Sequence, residues 1–161
     1  MHKTLFAAAL LAASSVLAQA QTAPPPKIQT PPEPFNFQSD ADLHGHVIKP
    51  GTPLILHVLS DHEDYLVEVV GRTTSGVPEL HPHFIDFAVV QEGEGTLTWG
   101  GTNTTSRDTG GGELRGGTIV GGQTRDLKPG DYIQMPAGVW HQFTLKPGVN
   151  AFRYLIVKAR Q

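Results

Sequence analysis

Beyond Pro50 the apolar residues fall in short runs, each closed by glycine, proline or small polar residues, and none sustains a 3.6-residue period. Leu54 to Leu59 is apolar and stops at Ser60-Asp61, and Tyr65 to Val70 is rich in β-branched residues and stops at Gly71. Asp86 to Gln91 and Thr96 to Trp99 flank Glu92-Gly93-Glu94-Gly95, the pattern of a hairpin. Gln123 to Leu127, Tyr132 to Met135, Trp140 to Leu145 and Phe152 to Val157 follow, parted by turns at Pro129-Gly130, Pro136-Ala137-Gly138 and Pro147-Gly148. Short strands with turn signals about every 8 to 12 residues predict an all-β sandwich or barrel.

The N-terminal part reads differently. Lys3 precedes an apolar run from Leu5 to Leu17, and Ala18-Gln19-Ala20 is a small-x-small cleavage pattern. Residues 1–20 therefore read as a secretory signal peptide, since the run is shorter than the roughly 20 residues a membrane span needs. Residues 21–37 form a Pro-rich tether, with six prolines between Gln21 and Pro34. Ser39-Asp40-Ala41-Asp42 is able to cap a short helix that His44-Gly45-His46 would interrupt. This leaves residues 38–161 as one β-barrel domain, with a glycine-rich insert at 100–122 expected to be a surface loop holding a short strand at Thr118 to Val120.

Composition narrows the chemistry. There is no cysteine, which removes thiol nucleophiles, disulfides and cysteine-bound zinc. The formal charge is −3, and loss of Lys3 with the leader makes it one unit more negative. That mild acidity provides no footprint for nucleic acid, nor for a membrane surface once the leader is gone. The insert lacks both phosphate-cradling glycine patterns, and no Gly-x-Ser-x-Gly elbow is present for a serine hydrolase. The expected location is secreted or periplasmic.

The candidate chemistry lies in two stretches. In the first, Glu79, His81 and His83 share one face if the segment is a strand, because residues two apart point the same way. In the second, the corner Pro136-Ala137-Gly138 returns the chain at His141, which shares its face with Phe143 and Leu145. That apolar pair turns the face of His141 inward. Imidazoles gathered from two strands are the nitrogen-rich half of a transition-metal site. His57, inside an apolar run, reads as a buried hydrogen-bonded histidine; His44 and His46 read as exposed.

The two stretches resemble the motifs of the cupin family. Gly76, His81, His83, Asp86 and Gly93 follow its first motif, and Gly130, Pro136, Gly138 and His141 match the second in residue type and spacing. The resemblance implies a single-domain cupin barrel (a double-stranded β-helix or jelly roll). It also implies one divalent ion, often iron, manganese, zinc or nickel, on His81, His83, Asp86 and His141. The His-x-His-x2-Asp form and glycine-rich insert are similar to those of small exported bacterial cupins.

The acid departs from the usual pattern. It is Asp86 rather than Glu and follows the second histidine more closely, so it reaches the site only through a bulge or sharp bend at Phe84-Ile85. Glu79 is the rival fourth ligand, and three histidines with water are a third possibility. Two functions remain open: a metal-dependent oxygenase or isomerase acting on a small organic molecule, or a non-catalytic module binding a sugar or other small ligand. Tyr132, Gln134 and Trp140 are expected in or around the pocket. Exposed strand edges favour a homodimer.

Overall fold

The computed structural model describes residues 35–45 and 52–161. The chain divides into two units, residues 1–37 and 38–161, and all elements belong to the second. The expected leader, the tether as far as Pro34 and His46 lie outside the described residues. Among the described residues no helix is long and apolar enough to cross a membrane.

A five-residue helix, α1 (Asp40–His44), opens the unit. Ser39 caps it: its side chain accepts from the Asp42 amide, while the Asp42 carboxylate accepts from the Ser39 amide. The other elements are strands: β1 (Leu54–Asp61), β2 (Tyr65–Arg72), β3 (Glu79–Leu80), β4 (Phe84–Glu92) and β5 (Gly95–Trp99). They continue as β6 (Arg107–Asp108), β7 (Leu114–Arg115), β8 (Gln123–Leu127), β9 (Tyr132–Met135), β10 (His141–Leu145) and β11 (Phe152–Arg160). They form two antiparallel sheets in the orders β1-β2-β11-β4-β9 and β6-β7-β3-β10-β5-β8. This is the double-sheet architecture of a jelly roll.

Alternation along the strands fills the space between the sheets. Val70, Ala88, Val90, Tyr154 and Ile156 come from the first sheet and Leu97, Leu127 and Phe143 from the second. Phe143 stacks on Tyr154 with ring centroids 4.8 Å apart, and Phe152 is fully buried beside them. Turns hold the sheets in register. Gly93 has φ +76°, and a Cβ there would lie 2.0 Å from the Ala151 carbonyl oxygen, so only glycine fits.

Three elements differ from expectation. Thr118 to Val120 is not a strand; Val120 makes an isolated bridge to Thr102. The insert instead carries the two-residue strands β6 and β7, and β7 pairs with β3. The last strand runs three residues beyond Val157, because Lys158, Ala159 and Arg160 continue the pairing with β4. That extension brings a lysine onto the interior face.

Candidate metal centre

The centre is built where the chain changes sheets. β3 ends at Leu80, and the backbone bends at Pro82-His83 before β4 begins at Phe84 in the other sheet. Pro82 cannot donate to a ladder, which suits a strand end. The bend therefore precedes Phe84-Ile85, where it was expected. It also resets the side-chain parity. Glu79 and His81 turn inward, His83 is left exposed on the outside, and Asp86 enters the interior in step with Ala88 and Val90. The expectation that Glu79, His81 and His83 share one face fails because the segment is not one continuous strand.

His141 arrives from β10, directly paired with Glu79 on β3 and Trp99 on β5. The ligand atoms of Glu79, His81 and His141 all lie within 4.8 Å of one another. Asp86 Oδ2 is 3.5 Å from His81 Nε2 and 3.6 Å from His141 Nε2, and Glu79 Oε2 is 3.6 Å from His81 Nε2. The structure thus brings together two imidazoles and two carboxylates; His83 is not among them. His57 is half-buried in β1 and lies outside the cluster, and His44 is exposed beside Asp40.

Both imidazoles are held by their outer nitrogen. His141 Nδ1–H donates to the Val139 carbonyl at 3.0 Å. His81 Nδ1–H donates to the carboxylate of Glu113. Each arrangement directs Nε2 to the centre, as the outer hydrogen bond of a metal-ligating histidine does. Glu79 is fixed similarly: Arg115 holds Oε1 at 2.6 Å and Arg72 approaches the same oxygen at 3.8 Å, leaving Oε2 toward the histidines. Glu113 and Arg115 both come from the glycine-rich insert, which is therefore part of the site's support and not merely a surface loop.

Burial and charge set the proton affinities. Burial pushes the Glu79 carboxyl up, but His81, Arg115, His141 and Arg72 more than offset this and hold its pKa at about 2. Burial also disfavours a charged His81 ring and the Lys158 ammonium opposes it too, yet Glu79, Asp86 and Glu113 outweigh both and its pKa is raised. Burial holds His141 below the usual range and Glu68 above it.

Metal bonds of about 2.0–2.2 Å to nitrogen and oxygen place neighbouring ligand atoms roughly 3.3–3.6 Å apart around a tetrahedral ion. Three of the pairs, at 3.5 and 3.6 Å, meet that spacing, Glu79, His81 and His141 gather within 4.8 Å, and the donor set suits a first-row divalent ion. The residues fit a metal. Glu113→Gln keeps the shape of the side chain but weakens its grip on His81, and is expected to lower metal affinity about 10- to 100-fold. Competition with a chromogenic chelator measures this; an unchanged affinity would show that Glu113 does not orient the ligand.

Two cavities flank this region. One, of about 80 Å³, is lined by Glu68, Glu79, Asp86, His141, Lys158 and neighbouring residues, with Leu54 and Leu56 of β1 overhanging it. The other, an open groove of about 520 Å³, runs between β8 and β9 and is lined mainly by Leu97, Trp99, Leu127, Ile133, Met135 and Val139. Tyr132 and Gln134 line the groove, whereas Trp140 is buried. The groove backs onto the centre: Met135 pairs with Asp86, and the Val139 carbonyl holds His141.

No protein-family model and no curated protein matches the sequence. Solved structures do match. BH2720 from Bacillus halodurans superposes with a TM-score of 0.56 at 18% identity, covering 84% of this chain and 87% of that one. A cupin superfamily protein from Desulfitobacterium hafniense gives 0.54 at 15% identity, covering 79% and 97%. The cupin domain of Schizosaccharomyces pombe Cnp3 gives 0.50 at 16% identity, covering 67% and 65%. The chain has the cupin fold. Within this cupin barrel, the histidine–glutamate group is a candidate metal site on the interior face of the second sheet.

Proposed function

We propose that this chain is an exported cupin that holds one divalent metal ion on Glu79, His81, Asp86 and His141 and uses it on a small organic molecule. One observation carries the reading. Two buried imidazoles, each tied back through Nδ1, turn Nε2 toward Asp86 at ligand spacing, with Glu79 at the same spacing from His81. A divalent ion, iron, manganese, zinc or nickel, supplies a Lewis acid or an oxygen-binding position when bound. The reactions in keeping with this are oxygenation and isomerisation by proton transfer. The groove's apolar walls, with Arg125, Asp131 and Gln134 at hand, favour an apolar molecule with a polar group.

The second reading is a binding module without catalysis. It is favoured by the cavities: about 80 Å³ at the centre leaves room for little beyond solvent-sized ligands, while the larger groove stands on the far side of the ligand residues. The open edges of β1, β6, β8 and β9 support a homodimer in either case; sedimentation of the purified protein as a monomer would reject it. The secretory pattern in residues 1–20 supports export, which cell fractionation tests.

Metal analysis of the purified protein, with His81→Ala and His141→Ala, tests the central claim. About one ion per chain is expected in the wild type, with affinity reduced more than the roughly 100-fold typical of supporting residues in each variant. A wild type that takes up no divalent ion under chelator-free conditions would reject the metal centre. A loaded protein that consumes no oxygen and turns over no screened substrate would favour the binding module.

A further inference from the structure

The interior face of β11 carries Tyr154, Ile156 and then Lys158. Lys158 pairs directly with Asp86 on β4, and its Nζ donates to both carboxylate oxygens at 2.9 and 2.8 Å. The same Nζ lies 2.9 Å from His81 Nε2, and with the ring neutral it donates to the lone pair that the Glu113 hydrogen bond turns inward. The ammonium therefore engages two of the atoms that a metal needs. On the other flank of β11, β2 places Glu68 opposite Ile156, one step diagonal from Lys158. Glu68 is buried and lines the same small cavity as Asp86 and Lys158. Diagonal cross-strand neighbours are within reach of a long side chain.

We propose that Lys158 is an internal cation that competes with the metal, engaging Asp86 and His81 in the metal-free protein and turning to Glu68 when a divalent ion binds. The proposal rests on the metal-centre reading above. Without an ion, Asp86 and Glu68 would repel each other across the small cavity they both line, and Lys158 offsets that repulsion and keeps Asp86 and His81 in place. On metal capture the ammonium and the ion cannot both use Asp86 Oδ2 and His81 Nε2. The lysine must leave, and Glu68 is the carboxylate positioned to receive it. The site thus exchanges one cation for another rather than opening and closing, and its affinity is lower than its donor set alone would give.

The test is Co²⁺ affinity by chelator competition at mildly alkaline pH, where carboxylates are ionised. Lys158→Met is expected to bind Co²⁺ about tenfold or more tightly, and Lys158→Gln to shift the same way. The glutamine variant serves if the methionine variant does not fold. Glu68→Gln is expected to weaken binding when Lys158 is present and to weaken it distinctly less in the Lys158→Met background, because the acceptor then has no ammonium to receive. Equal effects of Glu68→Gln in both backgrounds would overturn the exchange, leaving simple charge attraction. Wild-type binding with no gain in either Lys158 variant would overturn the competition while leaving the metal centre intact. Failure of the wild type and both Lys158 variants to bind Co²⁺ would overturn both.

Discussion

Replacing Asp86 with alanine is expected to destabilise the fold by about 3–5 kcal/mol, the typical cost of stranding one member of a buried charge pair. Asp86 is 4% exposed, and both its oxygens accept from Lys158. Removing the carboxylate leaves the ammonium between His81 and the apolar core, with Glu68 as its remaining carboxylate on that face. Turning to Glu68 recovers part of the loss. The double variant Asp86→Ala with Lys158→Met replaces the pair by apolar groups, which is often neutral or better, so it should regain most of the stability. It should not regain metal binding. Urea denaturation of the three proteins after chelator treatment provides the comparison. A single variant within about 1 kcal/mol of wild type would mean that the pair is solvated and contributes little.

Acid should unfold the metal-free protein through Glu79. Its folded pKa is held at about 2, against an ordinary value of 4.5. A depressed carboxyl pKa contributes stability that is fully present above 4.5 and is lost as the pH falls toward 2. The size is about 3 kcal/mol at 1.36 kcal/mol for each pH unit of displacement. Glu79 is only 16% exposed, so solvent screens this modestly. His141, lowered from 6.5, loses its contribution in a higher window that begins as the pH falls through 6.5. The raised His81 contributes fully below 6.5 and loses stability only as the pH rises through its folded pKa. Glu68 acts in the opposite sense from Glu79: its raised pKa makes protonation on acidification favourable to the fold. Denaturation across the acid range with Glu79→Gln isolates the first effect. The variant should decline less steeply below pH 4.5 by the share of Glu79, and a decline equal to that of wild type would assign it to other groups.

The small volume at the centre also bears on which chemistry is open to it. A cavity of about 80 Å³ admits water or a diatomic molecule more readily than an organic substrate. If the organic molecule lies in the larger groove, its route to the centre passes the layer formed by Met135, Val139 and Trp99, all of which line that groove. A substrate approaching from the β1 side would instead displace Leu54 and Leu56, the partly exposed residues over the small cavity.

Much of this was legible in the amino-acid sequence. The longer strands from Leu54 onward follow local alternation and turn residues, so they needed no long-range information, whereas the two-residue strands β3, β6 and β7 depend on their pairing. His141 was placed inward by its parity with Phe143 and Leu145, which holds because β10 is continuous. The fate of His83 and Asp86 was not settled by the same rule. Parity has meaning only within one strand, and the chain bends at Pro82-His83 as it passes between sheets. Glu113 and Arg115 were hidden in a segment whose composition signals only a loop; pairing of β7 with β3 makes them supports of His81 and Glu79. Lys158 and Glu68 carried a faint signal, charged residues in step with core positions on their strands. What that signal meant depended on which strands pair with β11. Sequence by itself determined the longer strands, the inward face of β10 and two of the clustered side chains, because these follow from local periodicity and turn chemistry. The tertiary structure alone decided which carboxylates join them and that a lysine stands among them, because sheet register is chosen by packing between residues far apart in the chain.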